Sequence, residues 1–144
     1  MFEEKNTGMD FKSLRAEYGI GQLRENDAPE DPFDLFRAWF HEALEDETRE
    51  PNAMVLATVR PDGFPAARVV LLKGVDHGFV WFSNYQSAKA SQLEENPRAS
   101  LTFWWALQEK QVRITGMVEK VSEAESEAYF KTRPPGSQAG AWAS

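Results

Sequence analysis

Residues 53–73 read AMVLATVRPDGFPAARVVLLK, two apolar runs rich in β-branched residues on either side of Pro61-Asp62-Gly63. A Pro-Asp-Gly link is a turn signature and is far too short for a crossover connection. The two runs must therefore lie side by side as antiparallel strands. The pattern recurs. VDHG (75–78) leads into FVWFSN (79–84), and RASLTFWW (98–105) and QVRITGMVEKV (111–121) read as further strands. Strands joined in this way predict a mainly β fold, an antiparallel barrel with peripheral helices.

Three segments carry helix signals. DPFDLFRAWFHEALED (31–46) has Asp31 to cap, Pro32 at the first helical position and a stripe of Phe33, Phe36, Trp39, Phe40 and Ala43. SAKASQLEEN (87–96) has Ser87 as cap and Pro97 beyond its end. SEAESEAYFKTR (122–133) opens with Ser122 and Glu125 as a capping box. Residues 1–30 are polar, with sparse apolar positions at Leu14, Tyr18 and Leu23, and read as an arm with a short helix near 11–18. The expected organisation is an arm over 1–30 and one domain over 31–144.

The charge balance narrows the partners. A net charge of -7 argues against nucleic acid or an anionic membrane as the main partner, and leaves room for a local cationic pocket. Without cysteine there is no disulfide or thiolate chemistry. Two histidines, His41 and His77, do not make a His-rich metal site. The N-terminus has no basic-then-apolar leader pattern and no apolar run is long enough to span a bilayer, so a cytoplasmic location is expected. Five Trp and ten Phe are a heavy aromatic load, which fits a flat ligand or a large interface as well as a core.

Several groups bear chemistry, each with a plainer reading beside it. In RVVLLK, Arg68 and Lys73 bracket four apolar residues, and strand alternation sends the two cations to different places. The same pattern fits a buried strand with charged ends at the rim. Val69 to Leu72 lack alternation, so that strand is expected to be covered on both faces, by core on one and by a ligand or second subunit on the other. Lys89 sits in the first turn of its helix, where free N–H groups favour a phosphate, although a solvated surface lysine also fits. Tyr129 and Arg133 lie four apart on one helix face, and Ser137 follows the Pro134-Pro135-Gly136 break. All three suit an anionic oxygen, while core packing by Tyr129 and C-capping by Arg133 would explain them equally well. Gln111 begins a strand and is suited to a heterocycle carbonyl. Trp104 and Trp105 must face opposite sides of theirs.

Taken in order, RVVLLK, FSNYQSAKASQLEENPRASLTFWW, KQVRITGMVEK and YFKTRPPGSQAGAW resemble the pyridoxamine 5′-phosphate oxidase family, from about Arg15 to the last residue. The resemblance implies a split β-barrel homodimer with FMN at the subunit interface. It implies FMN-dependent oxidation of pyridoxamine 5′-phosphate or pyridoxine 5′-phosphate to pyridoxal 5′-phosphate, with O2 as acceptor and H2O2 released. A split-barrel protein that holds FMN or pyridoxal phosphate without turnover is the alternative. By the same resemblance Arg68 and Lys89 match FMN phosphate ligands, and Val69, Val70, Leu71, Leu72, Phe82, Ser83 and Gln111 match further FMN contacts. Lys73, Tyr129, Arg133 and Ser137 match the clamp on the substrate phosphate. Arg15 and Tyr18 match an arm segment that closes over the substrate. No residue is assigned to a chemical step. Ala88 departs from the pattern, because the family usually has Arg there. The family's sequence also continues past the position of Ser144 with flavin and substrate contacts, so the resemblance leads one to expect a C-terminally incomplete barrel.

Overall fold

In the computed structural model the described residues are 10–46, 48–84 and 86–132. The Pro-Asp-Gly hairpin forms as expected. Strand β1 (Ala53–Val59) pairs antiparallel with β2 (Pro65–Leu71), with Val55 opposite Val69 and Leu56 opposite Arg68. Gly63 takes φ +84, a left-handed conformation that favours glycine. Its N–H donates to the Arg60 carbonyl, and the Arg60 N–H donates to the Phe64 carbonyl, which closes the turn.

A short ribbon follows, β3 (Gly74–Val75) with β4 (Phe79–Val80). The ladder in FVWFSN is thus confined to its first two residues. Strands β5 (Arg98–Trp105) and β6 (Lys110–Met117) complete a four-stranded sheet in the order β2-β1-β5-β6. β6 stops at Met117, four residues short of the expected end. Helix α1 spans Pro32–Glu45 and is capped by Asp31, which accepts from the Phe33 N–H. Helix α2 spans Ala88–Glu95, with the Ser87 hydroxyl accepting from the Ala90 N–H. Helix α3 spans Glu123–Thr132, and Ser122 accepts from the Glu125 N–H at its start. The short arm helix is not found. Within residues 11–18 only a single 3-10 turn forms, at Phe11–Ser13. Phe11, Leu14 and Tyr18 are exposed, and a helix this short is not stable in water without an apolar face to bury.

Strand alternation sorts the sheet into two faces. Met54, Leu56, Leu101, Phe103 and Trp105 point inward, where Phe36 and Ala43 of α1 meet them. The inner layer is aromatic: the Phe36 ring lies 4.9 Å from Phe79 edge-on and 5.2 Å from Phe103, and Phe103 lies 5.5 Å from Trp105. Trp105 is 1% exposed and its indole N–H donates to the Pro51 carbonyl at 2.9 Å, whereas Trp104 is 52% exposed on the outer face. The expected split of this pair is therefore observed. Of the two covers expected over Val69 to Leu72, this chain supplies the core on the inward face. Leu72 is buried, but Val69 is 66% exposed and Leu71 is also exposed, because no described residue lies over the outer face there.

Candidate functional site

Arg68 projects from β2 on the inward side, beside Thr58 of β1 and under α2. Its Nη1 donates to the Thr58 hydroxyl at 2.8 Å and to the Leu56 carbonyl at 3.1 Å, and its Nη2 donates to Gln92 Oε1 at 3.0 Å. The Thr58 hydroxyl in turn donates to Gln92 Oε1 at 2.7 Å. The result is a closed ring of hydrogen bonds in which Thr58 is only 2% exposed. Burial lowers the Arg68 pKa, yet a guanidinium stays charged at neutral pH. A guanidinium has five N–H donors, so the Nε–H and one Nη2–H have no partner among the described residues.

Lys89 lies three residues before Gln92, on the same face of α2. Its ammonium makes no hydrogen bond or ion pair with any described residue. The ring thus links a pre-oriented guanidinium to a helix whose first turn carries a second cation, a donor set that suits a phosphate. Ala88 is the first residue of α2 and is exposed, so it adds nothing to that charge.

The remaining residues singled out above separate onto different surfaces. Val70 and Leu72 share the inward side with Arg68, while Val69 and Leu71 face out. Gln111 is exposed on the outer face of β6, directly opposite Trp104. Lys73 follows β2 and lines a small pocket against α1 with Phe36, Phe40 and Leu72. Lys73 lies beyond the end of β2, so strand alternation does not set its direction, and the residues lining its pocket do not include Arg68, Thr58 or Gln92. Phe82 and Ser83 line an open groove of about 1380 Å³ between the segment after β4, α2 and α3. Glu94, Glu119, Glu125 and Glu127 also line that groove, a poor environment for a phosphate, so its size does not make it the anion site. Arg15 and Tyr18 are exposed in the arm, and Arg15 Nε donates to the Lys12 carbonyl. Arg133 and Ser137 lie outside the described residues. Of Tyr129 only the backbone, within α3, is described.

Thr58 and Gln92 were not singled out from the sequence. A signal was present in β1, where Met54, Leu56 and Thr58 share the buried face and the last is polar. A buried hydroxyl requires a partner. Gln92→Glu keeps the acceptor but places a carboxylate against Arg68. We expect the denaturation midpoint to hold and the affinity for a phosphate-bearing ligand to fall by about tenfold, since each 1.4 kcal/mol is a factor of ten. Isothermal titration with FMN checks this, and unchanged affinity would remove the ring from the site.

Comparison with known proteins agrees with this picture. The family described as Pyridoxamine 5′-phosphate oxidase matches residues 40–144. Pyridoxine/pyridoxamine 5′-phosphate oxidase of Thermosynechococcus vestitus is 58% identical over 132 residues, which cover 91% of this chain and 63% of the relative. The enzyme of the same name from Cupriavidus necator is 56% identical over 132 residues, 91% of this chain and 62% of the relative. The chain therefore spans somewhat less than two thirds of the length of these relatives. Among solved structures, PhzG from Burkholderia lata in complex with tetrahydrophenazine-1-carboxylic acid superposes with TM-score 0.80 at 28% identity, covering 85% of this chain and 62% of that one. A pyridoxamine 5′-phosphate oxidase-related, FMN-binding protein from Nostoc punctiforme superposes with TM-score 0.60 at 19% identity, covering 76% and 62%, a likeness of fold. The fold is the antiparallel split β-barrel expected from the sequence, and the chain belongs to the pyridoxamine 5′-phosphate oxidase family.

Proposed function

We propose that this chain binds FMN and serves the oxidation of pyridoxamine 5′-phosphate or pyridoxine 5′-phosphate to pyridoxal 5′-phosphate, with O2 as acceptor and H2O2 as by-product. The observation that carries this reading is the Arg68 guanidinium, fixed by Thr58 and Gln92 beneath the helix that bears Lys89. Arg68 and Lys89 bind the FMN phosphate. Val69 to Leu72, Phe82, Ser83 and Gln111 line the rest of the cofactor. When bound, FMN supplies the hydride-accepting chemistry, and the protein supplies position and charge. Lys73, Tyr129, Arg133 and Ser137 hold the substrate phosphate, and Arg15 and Tyr18 reach it from an arm formed by residues 1–30, ahead of the domain at 31–144.

The same reading includes a homodimer. Val55, Val69, Leu71, Trp104 and Met117 form an exposed apolar outer face, and Gln111 stands among them. A second subunit placed there would bury that face and enclose a flat ligand. The test is peroxide release when pyridoxamine 5′-phosphate is added to the FMN-loaded protein. We expect one H2O2 per pyridoxal 5′-phosphate formed. Bound FMN with no peroxide would leave a binding protein and overturn the oxidase reading.

A further inference from the structure

We propose that Glu109 is the positioning residue of the N-terminal arm. One carboxylate oxygen, Glu109 Oε2, accepts from the backbone N–H of Gly19 at 2.8 Å and from that of Ile20 at 3.0 Å. Among the described residues, these are the only hydrogen bonds that join residues 10–30 to the rest of the chain. Packing contributes little, because Phe11, Leu14, Tyr18, Ile20 and Leu23 are all more than 60% exposed. Among the described residues, the hold on residues 10–30 therefore rests on one side chain.

That side chain stands on a firm base. Glu109 ends the 3-10 turn between β5 and β6 at φ 52 and ψ 39, a left-handed conformation that glycine or asparagine adopts more readily. The preceding residue, Gln108, is buried and tied to the end of α1, accepting from Thr48 and donating to Asp46. The following residue, Lys110, pairs with Glu42 of α1, and its ammonium lies 4.9 Å from the centre of the Trp39 ring. The turn is held from both sides while its middle residue reaches for the arm. A glutamate in a strained backbone position, bonded to two amides some ninety residues away in sequence, has a role that the turn itself does not need.

The consequence rests on the oxidase reading. Tyr18 immediately precedes the anchored Gly19, and Glu109 is two residues from Gln111. The anchor therefore brings the arm to the strand end that carries Gln111 and the exposed Trp104. Arg15 lies three residues before Tyr18 in the same segment.

The test compares the parent protein with Glu109→Gly and Glu109→Gln. Glycine removes the carboxylate and relaxes the backbone, so the fold is kept. Glutamine keeps an acceptor oxygen. We expect Glu109→Gly to speed hydrogen exchange at Gly19 and Ile20, and tryptic cleavage after Arg15 and Arg24, by about tenfold, because both report local opening. Glu109→Gln should stay within about threefold of the parent, as a neutral acceptor replaces a charged one. Equal rates in the parent and Glu109→Gly would overturn the proposal, and so would a glutamine variant as loose as the glycine one. Failure of the oxidase reading shows separately, as no peroxide from the parent protein, and leaves the exchange comparison intact.

Discussion

Phe103→Ala is expected to destabilise the protein by about 3–5 kcal/mol, the usual cost of deleting a fully buried aromatic ring. Phe103 is 0% exposed and sits at the middle of the aromatic layer, within ring contact of Phe36, Phe79 and Trp105. Its removal takes the common partner from α1, the β3–β4 ribbon and the main sheet at once. Whole-domain stabilities are about 5–15 kcal/mol, so a loss of this size consumes much of the total. Urea denaturation followed by tryptophan fluorescence reads the effect as a large fall in midpoint. A change below about 1 kcal/mol would mean that the layer is not the core, since only well-compensated sites lose so little.

Arg68→Ala is expected to weaken FMN binding by roughly 10- to 100-fold, the range for losing a charged hydrogen bond of about 1.5–3 kcal/mol. The fold should survive, because the Thr58 hydroxyl keeps Gln92 Oε1 as its acceptor. The loss should also be specific to the phosphate: riboflavin, which has no phosphate, should bind the variant and the parent equally. A parallel fall for both ligands would point to a collapsed pocket instead. Because burial holds the Arg68 pKa below its ordinary value while leaving it charged at neutral pH, FMN affinity should not change with Arg68 titration between about pH 6 and 9.

The local parts of this architecture were legible in the sequence. Pro61-Asp62-Gly63 specified its hairpin, Asp31, Ser87 and Ser122 specified three helix starts, and period-2 alternation split Trp104 and Trp105 between the two faces, although not which of them is core. The partners of Arg68 were not legible. They depend on α2 packing over β1 and on the strand pairing of Arg68 with Leu56, which bring Thr58 and Gln92 together across 34 residues of sequence. Glu109 was hidden for the same reason, since its partners lie in the arm. The openness of the outer face is also non-local: Val69 and Leu71 read as a buried strand, but what covers such a strand need not belong to the same chain. Local pattern marked Tyr129, Arg133 and Ser137 as suited to an anion and Gln111 as suited to a heterocycle carbonyl, while the specific substrate and cofactor roles of these residues and of Lys73 came from family resemblance.

The central claim is that the space between Arg68 and the first turn of α2 receives the phosphate of FMN. The most direct measurement titrates the purified protein with FMN and with riboflavin, following the quenching of flavin fluorescence. The account predicts FMN binding at least about tenfold tighter than riboflavin, with that preference cut by about tenfold or more in Arg68→Ala, as expected when one charged contact supplies 1.4 kcal/mol or more. Equal affinity for the two flavins, or a preference for FMN that is undiminished in Arg68→Ala, would contradict it.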